Sequence, residues 1–223
     1  MQNGLEMLTR FVTARTTIHF GKVVNISPET DELAFYPLIY WLIDKDDPLP
    51  KEEGFKKLNR FLQHGGTILF DTADSLASSS QDTPTEQTFK LREILQHLNV
   101  PPLEPLTAKH VLSRSFFIMP DFPGRYRSGS LWIESSAKNK EEMQKLVQAS
   151  ADGVSPIIIT GNGLVQAWAD GEDGRWLYRL IPDTQQQRLW AFRGGLNLVM
   201  YVLTGNYKAD QIQISSFLKR LSR

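Results

Sequence analysis

The sequence predicts an α/β fold built around a mainly parallel central sheet. The first observation is a nearly unbroken apolar run that is typical of a strand buried on both faces, which we place at residues 38–43. The second is an amphipathic helix that includes Phe55 and stops at Gly65-Gly66. The third is another apolar strand, residues 67–70, directly after the glycine pair. Because the order is strand, helix, strand, we expect parallel strands joined by a right-handed crossover.

The composition is that of an ordinary globular protein. The 223 residues are 41% hydrophobic and 22% charged, which predicts one domain over residues 1–223. Lys and Arg total 25, as do Asp and Glu, so the net charge is zero and nucleic acid is not an expected partner. The absence of cysteine excludes disulfides, thiolate metal sites and cysteine nucleophiles. No apolar run reaches the roughly 18–20 residues needed to span a bilayer, so this chain is not expected to cross a membrane.

The remaining elements follow from periodicity and breaker residues. Apolar residues at helical spacing (Leu5, Leu8 and Val12) predict an opening helix, and an extended piece is expected within residues 16–26. Further helices are predicted over residues 85–98, 138–148, 185–203 and 215–221, strands over residues 131–133 and 154–160, and an irregular excursion over residues 103–128. The 185–203 helix is expected to end at Gly205-Asn206 and to turn inward Leu189, Phe192, Leu196, Val199 and Leu203.

Polar residues follow the second predicted strand where the ligand crevice of an open α/β sheet lies. Asp71 and Asp74 flank Thr72 in this turn. The two carboxylates suit either a capped turn, which is the commoner role of aspartate, or coordination of a hard cation. Asn162 lies between two glycines after the 154–160 strand and either presents its amide to the same crevice or simply shapes a loop.

The predicted excursion carries the basic candidates. His110 titrates near neutrality, and Arg114 and Arg125 can each clamp an anionic group. None of the three stands in a known motif. We also note a strip on the last long helix, Arg193, Asn197 and Tyr201, which more often ties a helix to neighbouring carbonyls than it binds a ligand.

No complete catalytic motif is present. The Gly-x-Ser-x-Gly elbow, the glycine-rich dinucleotide and nucleotide loops and the His-Glu-x-x-His zinc motif are all missing. We therefore expect no cofactor and no resident metal.

Several segments together resemble a bacterial domain family, number 4159 in the domain-of-unknown-function series. They are ARTTIHFGKVVNISPETDELAFYPLIYWLI, LNRFLQHGGTILFDTAD, HVLSRSFFIMPDFPGRY, DGVSPIIITGNG and AFRGGLNLVMYVLTGNYKADQ. The resemblance implies a flavodoxin-like three-layer αβα sandwich of the class I glutamine amidotransferase-like superfamily. It also implies that the domain belongs to a longer, envelope-associated protein anchored in the bacterial inner membrane, and that this chain lacks the first strand of the domain.

The same resemblance bears on catalysis. Amidotransferases of this superfamily carry a cysteine in the sharp turn that here reads Asp71-Thr72-Ala73, so the usual thiol route to glutamine hydrolysis is excluded by residue type. Family members similar to this chain often have an acidic-aromatic pair after the asparagine, where this sequence has Gly163-Leu164.

Three functions remain open. The first is a non-catalytic domain that binds a small anionic ligand or an envelope protein partner through Asp71, Thr72, Asp74, His110, Arg114, Arg125 and Asn162. The second is a hydrolase or lyase on a sugar-like or amide substrate, with His110 as general base and Asp71 orienting it or holding a metal. The third is an assembly module that docks through exposed aromatic residues, Trp168, Trp176 or Trp190.

Overall fold

The structure is a computed structural model that describes residues 1–75, 84–135, 154–171, 173–184 and 186–221, with side chains described as far as residue 204. Its helices are α1 (Gln2–Thr13), α2 (Glu52–Gln63), α3 (Glu86–Leu95), α4 (Leu164–Trp168) and α5 (Gln187–Leu221), with 3-10 turns at Leu33–Phe35 and Val111–Arg114. Its strands are β1 (Leu38–Leu42), β2 (Thr67–Asp71), β3 (Leu103–Pro105), β4 (Trp132–Glu134) and β5 (Ile157–Thr160).

The described strands form one five-stranded sheet in the order β1-β2-β5-β4-β3. β1 pairs with β2, and β2 with β5, in parallel, whereas β4 is antiparallel to both of its neighbours. Four of the five strands therefore run in the same direction. The predicted α/β class with a mainly parallel sheet is confirmed.

The crossover from β1 to β2 explains why two glycines end α2. Phe55, Leu58, Phe61 and Leu62 are buried on one face of the helix. Gly65 adopts φ +88°, a left-handed conformation that favours glycine. A Cβ on Gly66 would lie 2.3 Å from the ring of Phe61, so a side chain there would displace part of the core.

Helices cover both faces of the sheet and bury a core on each. All five residues of β2 are buried, with Ile68 and Phe70 in one core and Leu69 in the other. α2 and α3 cover the first core, and α1, α4 and α5 cover the second. β2 is thus shared by both cores, so the strand that leads into the turn after Asp71 is packed on both of its faces.

The last helix is longer than predicted. α5 begins at Gln187 and continues to Leu221, so Gly205-Asn206 does not end it and the separate helix predicted at residues 215–221 is its final part. The predicted inward face was right for Phe192, Leu196 and Val199 but wrong for Leu189, which is 41% exposed. Glycine and asparagine disfavour a helix without forbidding it, which explains the error.

The predicted excursion contains regular structure, since β3 and a 3-10 turn lie within it. Conversely, residues 16–26 contain no strand. The helix predicted at residues 138–148 lies outside the described residues. In the part of the chain that the structure describes, no helix combines the length and apolar character needed to cross a membrane.

Candidate functional site

The carboxylate of Asp71 is buried where β2 ends. Its Oδ1 accepts hydrogen bonds from the backbone N–H groups of Ala73 and Gly163, both at 3.0 Å. Its Oδ2 accepts from the N–H of Leu164 at 2.7 Å and from the hydroxyl of Tyr40. Four donors from three parts of the chain therefore surround one side chain, which leaves little capacity for a ligand.

The same surroundings set the protonation of the pair. Burial raises the pKa of Asp71, and the hydrogen bonds that it accepts oppose this shift. Burial and the neighbouring Asp71 charge hold the pKa of Tyr40 well above its usual value. The Tyr40 hydroxyl also accepts from Val165 N–H at 3.1 Å. Tyr40 thus stays protonated at neutral pH and acts as a fixed donor to the carboxylate.

The turn after β2 is strained at Ala73. This alanine has φ +51°, the one non-glycine residue with positive φ in the described part of the chain. Left-handed backbone costs an L-residue about 1–2 kcal/mol. In enzymes with a nucleophile elbow, a sharp and strained turn of this kind exposes the reactive side chain. Here the strained residue carries a methyl group, so it offers no nucleophile.

Thr72 and Asp74 connect this turn to the start of α3. The Thr72 hydroxyl donates to Oδ1 of Asp74, while Oδ2 of Asp74 accepts from the hydroxyls of Thr85 and Thr88. Thr85 caps α3, because its Oγ1 accepts from Thr88 N–H at 3.1 Å. The hydroxyl of Thr72 is thus committed to a neighbouring carboxylate, and no histidine or lysine contacts it among the described residues.

Asn162 fastens a loop across the ends of the strands. Its Nδ2 donates to the carbonyls of Phe122 and Gly129, both at 2.9 Å. Its Oδ1 accepts from Gly129 N–H at 3.0 Å and from the Ser75 hydroxyl at 3.1 Å. The side chain is 1% exposed and uses both its donors and its acceptor sites, which leaves none for a ligand.

Two glycines in the loop over residues 122–129 make this close packing possible. A Cβ on Gly124 would lie 2.4 Å from the carbonyl oxygen of Asn162, and one on Gly129 would lie 2.3 Å from the Ser75 hydroxyl. The loop over residues 122–129 therefore closes the region where the sequence predicts an open crevice.

His110 caps the second 3-10 turn. Its Nδ1 accepts from Leu112 N–H at 3.2 Å, and its ring contacts Tyr201 edge to face at 5.6 Å. Burial lowers the pKa of His110, partly opposed by the charge of Glu104. His110 and Asp71 share no hydrogen bond and no hydrogen-bond partner among the described residues.

The two arginines have different surroundings. Arg114 is exposed, and its Nε donates to the carbonyl of Ala108 at 3.0 Å. Arg125 belongs to the loop over residues 122–129 and is partly buried. Its backbone N–H donates to the Gly163 carbonyl at 3.0 Å. The Arg125 guanidinium lies 5.2 Å and 5.5 Å from the rings of Tyr126 and Tyr178.

The structure thus brings together most of the predicted set. Asp71, Thr72, Asp74 and Asn162 lie at the ends of β2 and β5, with Arg125 adjacent, whereas His110 and Arg114 belong to the 3-10 turn. No group of three or more His, Asp or Glu residues suited to hold a metal occurs among the described residues.

Sequence reasoning missed Tyr40 and Ser75, the side-chain partners of this cluster. Tyr40 lies within the apolar run that predicted β1, so its ring was counted as core. A buried tyrosine hydroxyl usually has a hydrogen-bond partner, and this general rule was the available signal.

The predicted aromatic docking set is wrong for Trp168. Its side chain is 1% exposed, and its indole N–H donates to the Ala191 carbonyl at 3.0 Å inside the second core. Trp176 is 48% exposed and packs under the guanidinium of Arg188 at 4.2 Å. Trp190 is partly buried against the same core, so Trp176 is the most exposed of the three candidates.

A separate cavity of about 770 Å³ lies beside the free edge of β1. It is lined by β1, by residues 20–29 and by parts of α1 and α5. We call this cavity the β1 slot. It does not include the Asp71 and Asn162 cluster, although Tyr40 borders both.

Comparison with known sequences places the chain in one family. Among curated proteins, none matches this sequence. A family model matches residues 1–203, which is most of the chain. The chain belongs to the family described as Domain of unknown function (DUF4159).

Proposed function

We propose that this chain is a non-catalytic binding domain that recognises another polypeptide. The observation that carries the proposal is the state of the turn after β2. The strained residue is Ala73, and the backbone donors around it are already bound to Asp71. A catalytic turn would instead present a nucleophile and aim free donors at a substrate.

The scaffold in this proposal is the flavodoxin-like, three-layer fold of the glutamine amidotransferase-like superfamily. A sheet with four strands in one direction and helices on both faces supports it. The bacterial origin and the envelope-associated, membrane-anchored parent protein are supported by the family resemblance.

The closed crevice favours a polypeptide partner over a small anionic ligand. Asp71, Asn162 and Thr72 are each at most 7% exposed and fully engaged with the chain itself. The β1 slot, by contrast, is a large apolar concavity beside the last strand of the sheet, where an extended polypeptide can add as a further strand.

An activity screen tests the proposal. The protein is incubated with glutamine, simple amides and chromogenic glycosides, alongside the variants Thr72→Ala and His110→Asn. We expect no turnover above that of buffer for any of the three proteins. Turnover by the wild type that disappears in either variant, while the variant keeps its cooperative unfolding, would establish the hydrolase alternative.

A further inference from the structure

The β1 slot has the features of a vacant strand position. β1 is the last strand on its side of the sheet, and four of its five residues are only partly buried, whereas every residue of β2 is buried. Parallel sheets are normally covered on both faces, and their end strands have one edge without a neighbouring strand. Here that edge borders a cavity of about 770 Å³, which leaves room for a further strand.

The backbone of β1 presents free groups to this cavity. The carbonyl of Pro37 accepts from Thr67 N–H at 3.1 Å, and Ile43 N–H donates to the Asp71 carbonyl at 2.9 Å. Because alternate residues of a strand point their backbone groups to opposite sides, the odd-numbered residues of β1 face β2. The N–H and C=O groups of Leu38, Tyr40 and Leu42 then face the slot.

A second wall of the slot, residues 20–26, lies in no helix or strand. The backbone of residues 19–26 makes no hydrogen bond within the described part of the chain. The lining from this segment is mainly apolar, with Phe20 37% and Val24 47% exposed, and it also includes the polar side chains of Lys22 and Asn25. One strand placed between the two walls would have hydrogen-bonding backbone on both sides.

We propose that the slot binds one extended, apolar polypeptide segment from outside these 223 residues, as a sixth strand beside β1. β1 spans five residues, which at about 3.3 Å per residue sets the length of the partner segment at about 17 Å. This inference deepens the proposed function, on which it rests only for the statement that the domain binds a polypeptide.

The lining defines the chemistry of the segment. Slot residues come from both cores, Leu8 and Val199 on one face of the sheet and Ile39 and Leu58 on the other. The segment is therefore expected to be apolar on both faces, like the buried strands β2 and β5. The charged lining residues need no charged partner from the segment. Glu29 already accepts from Lys51 N–H and the Ser27 hydroxyl, both at 2.9 Å, and Lys22 and Asp47 are exposed to solvent.

The geometry also argues against other occupants. A small apolar molecule would leave the backbone groups of β1 unpaired. In a second folded copy, the edge of β1 would be accompanied by that copy's own residues 20–29, which line the same cavity, so the two edges could pair only if this segment moved. A single extended segment avoids both difficulties, and Met1 and Gln2 line the slot, so a segment fused before Met1 has a short path into it.

The test supplies the segment by fusion, which raises its effective concentration to the millimolar range. One protein carries Ile-Val-Val-Ile-Val and a short Gly-Ser linker before Met1. The matched control carries Ile-Val-Pro-Ile-Val, because proline cannot donate a backbone hydrogen bond. We expect the first fusion to raise the melting temperature by about 5 °C over the wild type and the proline control to leave it unchanged.

Two further readouts locate the effect. In the first fusion, the amide protons of Leu38, Tyr40 and Leu42 should exchange at least about tenfold more slowly than in the wild type. Adding Val24→Lys to the fusion should abolish the rise in melting temperature, whereas Ile118→Lys, at a residue 83% exposed and outside the slot, should leave it intact.

Three outcomes would overturn the proposal. One is an equal melting temperature for the two fusions. Another is protection of the three β1 amides in the wild type together with a dimeric mass, which would assign the slot to a second copy. The last is protection by decanoate without protection by the fused segment, which would assign it to small apolar molecules. None of these results bears on whether the chain is catalytic, which the turnover assay tests separately.

Discussion

At the scale of single residues, Asp71 is the side chain on which the local structure depends most. It links β1, the turn after β2 and the start of α4 through Tyr40, Ala73, Gly163 and Leu164. A buried carboxylate is tolerated in this place because each of its two oxygens accepts two hydrogen bonds. Its hydrogen bonds hold the turn in place, which is the arrangement that the capped-turn interpretation of the sequence predicts.

Asp71→Asn should destabilise the protein by about 2–4 kcal/mol. The amide nitrogen of asparagine cannot accept a hydrogen bond, so two of the four donors lose their partner in a buried environment. Urea unfolding measures the difference. Asp46→Asn, at an exposed acid, serves as the control and should stay within about 0.5 kcal/mol of the wild type. Equal stability of D71N and wild type would show that the carboxylate is dispensable.

His110 predicts a pH dependence of stability. Its folded-state pKa lies below the ordinary value of about 6.5, so the unfolded chain binds a proton more readily. As pH falls from about 6.5 through the folded-state pKa, this residue lowers the free energy of unfolding. His110→Asn keeps an acceptor for Leu112 N–H and removes the titration.

The wild type should therefore lose more stability than H110N between pH 7.5 and pH 5, as measured by urea unfolding at both values. His19→Asn, at an exposed histidine, is the control and should follow the wild type. A pH dependence of H110N that equals that of the wild type would contradict the assignment.

The residue scale is where sequence reasoning reached part of the site. Aspartate and asparagine directly after buried strands are visible in the sequence, and the sheet brings Asp71 and Asn162 to the same edge. The sequence could not identify the side chains that hydrogen-bond to Asp71 and Asn162. Tyr40 is 31 positions from Asp71, and Ser75 is 87 positions from Asn162. Contacts at such separations depend on the packed fold and leave no local pattern.

At the scale of elements, the contact between α1, α4 and α5 depends on a glycine in α5. A Cβ on Gly195 would lie 2.5 Å from Leu8 Cδ1 and 2.8 Å from Trp168 Cζ2. The neighbouring Gly194 has more room, with Phe122 Cδ1 at 3.1 Å as its nearest atom. The two adjacent glycines therefore differ in how closely the neighbouring elements pack against them.

Gly195→Ala should destabilise the protein by about 1–3 kcal/mol, because overpacking outweighs the better helix propensity of alanine. Gly194→Ala provides the matched control and should range from neutral to about 1 kcal/mol more stable. Thermal and urea unfolding of both variants and of the wild type measure these changes in stability. If G195A were as stable as G194A, the helices would not be in the close contact described.

Element types were predictable where periodicity is strong. β1, α2 and β2 follow from an apolar run, an amphipathic stripe and a glycine pair, all local signals. β3 was missed because prolines before it and at its end read as a loop, and α4 was missed because five residues span little more than one helical turn. The length of α5 was missed because Gly205-Asn206 is a common helix end that the chain does not use here.

At the scale of the whole molecule, the sheet joins two cores into one cooperative unit. β2 contributes Ile68 and Phe70 to one core and Leu69 to the other. A substitution that destabilises either core should therefore destabilise the whole domain, because unfolding of one core would disrupt the strand that both cores share.

Leu58→Ala in one core and Leu196→Ala in the other should each lower the free energy of unfolding by about 2–5 kcal/mol. Both leucines are at most 1% exposed. For each variant, the urea transitions followed by tryptophan fluorescence and by far-ultraviolet circular dichroism should coincide. Leu177→Ala, at a residue 57% exposed, is the control and should change stability little. Separate transitions in L58A would indicate that the two cores unfold independently.

The Asp71 side chain has a consequence for how this domain relates to enzymes. Backbone N–H groups at the start of a helix are a natural receptor for an incoming anion. Here the receptor is filled by a residue of the same polypeptide, which cannot diffuse away or be outcompeted at physiological solute levels. The N–H groups of Gly163 and Leu164 are therefore occupied by a covalently attached carboxylate, whatever the concentration of free anions around the protein.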